Sequence, residues 1–428
     1  MKDLSLSVHH VTRVEGHANI TVDVRKGEIS ELKLEIVESP RFFEAMLRGR
    51  SWEDVAHITS RICGICAVGH TTASLRATEV ALDLVPSAQT VLLRKLIIDG
   101  ETMQSHLLHV YFLVAPDLLG VGSVIPLAAT HPEVVKRALR LKKLANDICG
   151  VVGGRAVHPI SMVVGGFTRI PMAPELEGLR QRLVEAMPDL EATAELIKAL
   201  PLPRLENPTE YLALKNQAEY AFYDGDIAST DGDITPVKDY RQKIRETVVE
   251  HSTTKHVSGN RQSLMVGALA RFNNNHEQLH PLAKKVAREL GLRSPCHNSF
   301  MISVAQVVET VHAAEDAIMA IDELLGRGLK DEPIKVPVKA GSGVGAVEVP
   351  RGTLYHEYSY DSKGLITDSN LIIPTGQNMA NIEFDLRAIL PQILDKPKEE
   401  IAHTLEMVVR AYDPCISCST HLLDVRFV

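Results

Sequence analysis

Arg61-Ile62-Cys63-Gly64-Ile65-Cys66-Ala67-Val68-Gly69-His70 is answered near the other end of the chain by Asp413-Pro414-Cys415-Ile416-Ser417-Cys418-Ser419-Thr420-His421. Each Cys-x-x-Cys lets two sulfurs converge on one centre. Four thiolates make a soft ligand set, suited to zinc, iron or nickel and unsuited to magnesium. If the second pair meets the first, the two ends of the chain close over one buried metal site. A lone Cys-x-x-Cys would be weak: a redox dithiol, half a zinc site, or chance. Four cysteines most often hold structural zinc. Structural zinc, however, staples small domains through locally spaced pairs. These pairs lie far apart, in a chain of 428 residues with ample core of its own. Catalysis is the better explanation.

The rest of the composition is ordinary. Net charge is −8, with 45% hydrophobic and 23% charged residues. That balance excludes collagen-like, disordered and low-complexity chains. No strongly basic domain marks a nucleic-acid binder. The longest apolar runs are broken by Lys, Arg, Asp or Gly, so no transmembrane helix is expected. Met1-Lys2-Asp3-Leu4-Ser5 lacks the apolar stretch of a secretory signal, and the expected location is the cytoplasm. In that reducing compartment the six cysteines are expected as metal ligands or free thiols, not disulfides.

Working outward, residues 17–37 alternate apolar and polar about a Lys26-Gly27-Glu28 turn, which predicts a hairpin with one buried face. Helical periodicity runs from Phe42 to about Val85, interrupted near Arg61–Gly64. Residues 87–114 predict one long helix, buried nearly all round. Further helices are expected at 132–149, 175–200, 276–290, 298–327, 378–394 and 398–411. Residues 201–240 read as irregular, and 333–350 as a Gly- and Pro-rich stretch. A second hairpin is expected at 353–373, turning at Asp361-Ser362-Lys363-Gly364. The fold class is α+β and predominantly helical, a multi-helix core with small hairpin regions near both ends. It is expected as one unit over 1–428. Its parts are the hairpin at 17–37, a mainly helical core at 42–330, a C-terminal region at 333–421 and a tail at 422–428.

Arg-x-Cys-Gly-x-Cys-x-x-x-His and Asp-Pro-Cys-x-x-Cys-x-x-His are the paired signatures of nickel–iron hydrogenase large subunits, and the chain resembles that family. Pro40-Arg41-Phe42-Phe43-Glu44, Ala411-Tyr412-Asp413-Pro414-Cys415-Ile416-Ser417-Cys418 and the modest length are most similar to the α subunit of soluble, cytoplasmic NAD(P)-linked hydrogenases, the sulfhydrogenases. The resemblance implies reversible heterolytic cleavage of dihydrogen. It implies Cys63 and Cys415 as terminal nickel ligands, Cys66 and Cys418 as nickel–iron bridges, and carbon monoxide and cyanide on the iron. Cys415 is the implied base.

Arg13-Val14-Glu15-Gly16-His17 matches the family's Arg-x-Glu-Gly-His motif, making Glu15 the first proton relay. A buried carboxylate suits that task; read on composition alone, Glu15 is a surface residue before a hairpin. Glu44, the Leu371 carbonyl and the His421 imidazole are the implied ligands of a structural magnesium ion. Imidazole on magnesium is unusual, so this set rests on resemblance. His70, one helical turn after Cys66, would hydrogen-bond the bridging sulfur, or be a satisfied core histidine. Val349-Pro350-Arg351-Gly352 resembles the segment that hangs an arginine over the open metal position, and Asp413 would hold Arg351 in place. Ile373-Pro374-Thr375 resembles the segment around the diatomic ligands, with Thr375 donating to cyanide. Ser105 departs from the aspartate of many membrane-linked or periplasmic relatives.

Cys149 and Cys296 stand alone and read as apolar thiols. No cysteine set remains for an iron–sulfur cluster, and no Gly-x-Gly-x-x-Gly marks a nucleotide site. The implied partners are a small iron–sulfur subunit, then flavin, NAD(P) and further iron–sulfur subunits. A maturation protease is also implied, cutting after His421 to remove Leu422–Val428. The competing readings are a dihydrogen sensor, a quinone-site respiratory subunit of the same fold, and a zinc-stabilised assembly protein.

Overall fold

Alternation builds the first sheet. Ala18, Ile20, Val22 and Val24 share one face of the Ala18–Arg25 strand, and all four are buried. The Glu28–Ile36 strand sets Leu34 opposite Ile20 and Leu32 opposite Val22. Between them Lys26 and Gly27 both take positive φ, 53° and 84°, as a two-residue type I′ turn requires. The computed structural model describes residues 3–421, and in it this hairpin is part of a larger sheet. Its strand order is Leu4–Val8, Ala18–Arg25, Glu28–Ile36, Ser252–Ser258, Arg245–Val249.

The helical core gathers around the Ala88–Leu108 helix. Ser87 caps it, its hydroxyl accepting from the Thr90 N–H at 3.0 Å. The helix packs on Pro132–Gly153 and Ile302–Arg327, and the latter also on Ala173–Lys198. Instead of one continuous helix to 114, a π-helical turn at His109–Val114 leads into Ala115–Leu118. A buried Arg94–Glu79 pair, 2.6 Å, ties Ala88–Leu108 to the Ala67–Ala81 helix. No helix among the described residues is long and apolar enough to cross a membrane.

Two regions differ most from the sequence reading. Residues 201–240 contain the strands Glu210–Lys215, Asp226–Ser229 and Ile234–Thr235, which Leu264–Met265 completes as a four-stranded sheet. The Gly-rich stretch becomes the strand Gly341–Val349, antiparallel to Gly352–Tyr360, which pairs in turn with Ile366–Ile372. Gly341, Gly343 and Gly345 press on the Ala67–Ala81 helix. A Cβ at each would collide with the carbonyl oxygens of Ala81, Ala77 and Ala73 in turn. Two strand residues advance about 6.6 Å and four helix residues about 6.0 Å, so the two periods stay in step. This docking fixes the helix that begins just after Cys66.

The Pro374–Ile393 helix starts four residues earlier than expected. Pro374 opens it, after an extended Ile373. Lys398–Ala411 follows as expected. The tail at 422–428, and with it the cut after His421, lies outside the described residues.

Candidate metal centre

Cys63 follows the short Ser60–Ile62 turn in extended conformation, and Cys66 immediately precedes the Ala67–Ala81 helix. The N–H groups of Ile65 and Cys66 donate to Cys63 Sγ at 3.3 and 3.2 Å. The C-terminal pair meets them: Cys415 Sγ lies 3.6 Å from Cys63 Sγ. The sulfurs of Cys63, Cys66 and Cys418 lie within 4.8 Å of one another, and so do ligand atoms of Glu15, Cys415 and Cys418. All four cysteines are buried.

Cys415 and Cys418 are joined by a disulfide, contrary to the expectation of ligands or free thiols. The cause is local. Their Cα atoms are 5.5 Å apart, within the span a disulfide bridges. Reduction returns the thiols, and the thiolate is the form that binds metal. The hydrogen bond with Cys66 and the charge of Arg351 bring the Cys63 thiol down to about 7 despite burial. Its neighbour Cys66 is pushed well up by the same bond and by burial. One of the pair is thus poised as a thiolate.

Glu15 is sewn to the second pair. Its Oε2 lies 3.2 Å from Cys415 Sγ and accepts from the Ser417 N–H at 3.1 Å. Its main-chain carbonyl accepts from Ile416 N–H at 2.9 Å. Gly16 sits at φ +89°, and a Cβ there would run into Ile416, Glu38 and Ser417. Only glycine allows this approach.

Arg351 and Asp413 are paired. Arg351 Nη2 donates to Asp413 Oδ1 at 2.7 Å, and Nε donates to the Asp413 carbonyl. Burial works against the guanidinium charge, but Asp413 and the two nearby sulfurs outweigh it and raise its pKa. Arg351 Nη1 is buried without a partner. His70 is buried as well. Its Nδ1 lies 3.1 Å from His356 Nε2, while its own Nε2 has no partner. Burial, helped by the charges of Arg41 and His421, lowers His70 to about 3, so the ring is neutral.

The other named residues surround the cysteines. Thr375 Oγ1 accepts from the Cys415 N–H at 3.0 Å, which leaves its own hydroxyl hydrogen free to donate. Ile373 and Pro374 stand just ahead of it at the helix start. His421 Nδ1 lies 2.5 Å from Glu44 Oε1. Leu371 is buried opposite His356, on the strand whose Ser369 hydroxyl donates to the Glu44 carbonyl at 2.9 Å. Glu246, unread in the sequence, adds a carboxylate 3.9 Å from His421 Nε2. Ser105 is buried with its hydroxyl unpartnered.

Three further residues have a role here that the sequence does not announce. Glu101 reaches across from the Ala88–Leu108 helix and accepts from Val68 and Gly69 N–H at 2.7 and 2.9 Å. It thereby caps the helix that begins after Cys66. Burial pushes its carboxyl up to about 8, although these N–H groups pull the other way. An acid inside an apolar run was its only signal. Arg41 donates to the carbonyls of Ile62 and Ser417 at 2.7 and 3.1 Å and of Arg61 at 3.1 Å, joining both cysteine segments. His356 passes from His70 to Tyr358, whose hydroxyl lies 2.6 Å from its Nδ1.

These features test the fit of a metal group. Four soft sulfurs, with an unpartnered buried nitrogen on each of Arg351 and His70, suit nickel and iron better than a hard cation. Comparison with known proteins points the same way. The nickel-dependent hydrogenase family model matches residues 41–137 and 206–421, and a HoxL-like model matches 5–39. Sulfhydrogenase 1 subunit alpha of Pyrococcus furiosus is 35% identical over 98% of this chain and 98% of its own. Sulfhydrogenase 2 subunit alpha of the same organism is 33% identical over 98% and 100%. The solved structure of an NAD+-reducing nickel–iron hydrogenase in its H2-reduced state superposes with a TM-score of 0.88. It has 27% identity and covers 98% of this chain and 99% of that one. Donor chemistry, fold and sequence converge on one assignment: the chain belongs to the nickel-dependent hydrogenase family, as a catalytic large subunit of an oxidoreductase acting on dihydrogen.

Proposed function

We propose that the chain is the dihydrogen-cleaving subunit of a cytoplasmic, NAD(P)-linked nickel–iron hydrogenase of the sulfhydrogenase kind. The observation that carries this reading is the meeting of the two cysteine pairs with Glu15 Oε2 3.2 Å from Cys415 Sγ. Cys63, Cys66, Cys415 and Cys418 would hold the nickel and the iron. When bound, such a centre, with carbon monoxide and cyanide on its iron, supplies the Lewis acidity that polarises dihydrogen.

The chain's own groups handle the proton. Cys415 Sγ is the base, and Glu15 Oε2 receives the proton from it. The Ser417 N–H fixes the rotamer in which that oxygen faces sulfur. Arg351, held by Asp413, keeps a positive charge beside the thiolates and stabilises them. Neutral His70 can donate one hydrogen bond to a sulfur without adding charge. Thr375 offers its hydroxyl, beside Ile373 and Pro374, to the diatomic ligands. Glu44, the Leu371 carbonyl and His421 would hold magnesium, tying the end of the second cysteine segment to the Phe43–Leu47 helix.

Cys149 is buried and Cys296 half-buried, each a single thiol. Electrons therefore leave through a small iron–sulfur subunit, and on through flavin and iron–sulfur subunits to NAD(P). A maturation protease acting after His421 completes the proposed set of partners. Infrared spectroscopy of the anaerobically purified complex tests the reading. Carbonyl and cyanide stretching bands that shift under dihydrogen, with NAD(P) reduced at the expense of dihydrogen, are expected. Zinc in place of nickel, with no such bands, would overturn it.

A further inference from the structure

A second group of metal-ligating side chains lies away from the cysteines. His251 sits in the turn between the strands Arg245–Val249 and Ser252–Ser258, His256 lies on the second strand, and Glu383 on the Pro374–Ile393 helix. One ligand atom from each lies within 4.8 Å of the others. We propose that His251, His256 and Glu383 form a site for one first-row divalent cation of the zinc type, separate from the cysteine centre.

The donor set selects the metal. Two imidazoles and one carboxylate suit zinc, nickel or iron(II) and are poor ligands for magnesium or calcium. His251 Nε2 already lies 2.8 Å from Glu383 Oε1, so a cation would take the place of the shared proton. His256 Nε2 is buried and has no hydrogen-bond partner, an arrangement that costs free energy unless something binds there. The carboxylate is held at that same oxygen, since the Leu34 N–H also donates to Glu383 Oε1 at 2.9 Å. Around one cation with bonds of about 2.0–2.2 Å, neighbouring ligand atoms stand about 3.4 Å apart, so His251 Nε2 and Glu383 Oε1, now 2.8 Å apart, would open by about 0.6 Å to admit it. His251 and Glu383 side chains, 19% and 14% exposed, have room to do so.

His256 and Glu383 also line a cavity of about 460 Å³, with Thr209, Ser263, Arg261 and Arg387 in its wall. It provides an entry path and a fourth position for water. Arg261 is neutralised by Asp231, at 3.0 and 2.7 Å. Arg387 is bonded to the Leu32 carbonyl and keeps its charge, which favours an anionic fourth ligand.

The test uses the intact, metal-loaded complex, dialysed against micromolar zinc chloride and analysed for bound metal. The wild type is expected to gain one zinc per chain. His256→Ala and Glu383→Gln are expected to weaken that uptake at least about tenfold, with the infrared bands of the nickel–iron centre unchanged. Cobalt(II) bound to the wild type is expected to show visible d–d bands without thiolate charge transfer, a readout that needs no variant to fold. No zinc gain by the wild type, equal uptake by both variants, or a cobalt spectrum with thiolate charge transfer would overturn the proposal.

Discussion

Glu15→Gln separates holding from proton transfer. Glu15 Oε2 stands 3.2 Å from Cys415 Sγ and accepts from the Ser417 N–H at 3.1 Å. Glutamine has the same length, and its amide oxygen keeps the Ser417 bond. The Ile416 N–H bond goes to the main-chain carbonyl and does not depend on the side chain. Replacing a charged acceptor by a neutral one there costs about 1 kcal/mol of stability. What disappears is a group that can take a proton from sulfur. A positioned acid–base group contributes about 10²–10⁴-fold, which is about 2.7–5.4 kcal/mol of barrier. Glu15→Asp is the graded control. It withdraws the carboxylate by about 1.5 Å, beyond direct hydrogen-bond reach of the sulfur. A bridging water then restores part of the transfer, so its turnover is expected between the other two. The assay is dihydrogen-dependent dye reduction by the anaerobic complex, with nickel content and infrared bands measured on the same samples. A Glu15→Gln enzyme with full nickel, unchanged bands and turnover within about threefold of wild type, under about 0.7 kcal/mol of barrier, would refute the relay.

Asp413→Asn leaves the buried Arg351 charge without its counter-ion. Breaking such a pair costs about 3–5 kcal/mol, expected as a lower unfolding midpoint and less assembled complex. The double variant Arg351→Met, Asp413→Leu is expected to recover much of the midpoint and none of the turnover. Acid should destabilise the helical core through His312, which burial holds down to about 4 from 6.5. Between those pH values the unfolded chain binds the extra proton, so stability falls as pH is lowered through 6.5 towards 4, by about 3 kcal/mol in all. His312→Gln should flatten the pH dependence of the unfolding midpoint by close to one proton.

The elements that could be read from sequence carry their reason within themselves. The Ala18–Ile36 hairpin has its alternation and a turn that Gly27 permits. The Ala88–Leu108 helix has a serine cap and an apolar surface. Gly341–Val349 was hidden because its cause lies on another element. Three glycines say only that something comes close, and the helix backbone at Ala73, Ala77 and Ala81 supplies what it is. Leu4–Val8 and Arg245–Val249 were missed because they are sheet edges. Each buries few positions, so alternation is faint. The π-helical turn at His109–Val114 interrupts the helix just before Pro116, a residue that cannot donate to the regular ladder.

The site divides along the same line. Cys63, Cys66, Cys415, Cys418, Glu15, Arg351 and Glu44 stand in motifs because their side-chain chemistry is specific. Arg41 and Glu101 act on main-chain atoms, which every residue has. Arg41 takes three carbonyls, two before Cys63 and one between Cys415 and Cys418, and its own N–H donates to the Thr420 carbonyl at 2.8 Å. Nothing in either cysteine segment needs a particular side chain to receive it. Yet these bonds, with those of Glu15 to Ile416 and Ser417, hold the second pair against the first. Glu101 does the same for the helix that begins after Cys66, by capping its first N–H groups. The sulfurs therefore decide which metals the centre suits, and main-chain contacts decide the spacing at which the sulfurs are presented. Only the first of these is written as a pattern of residue types.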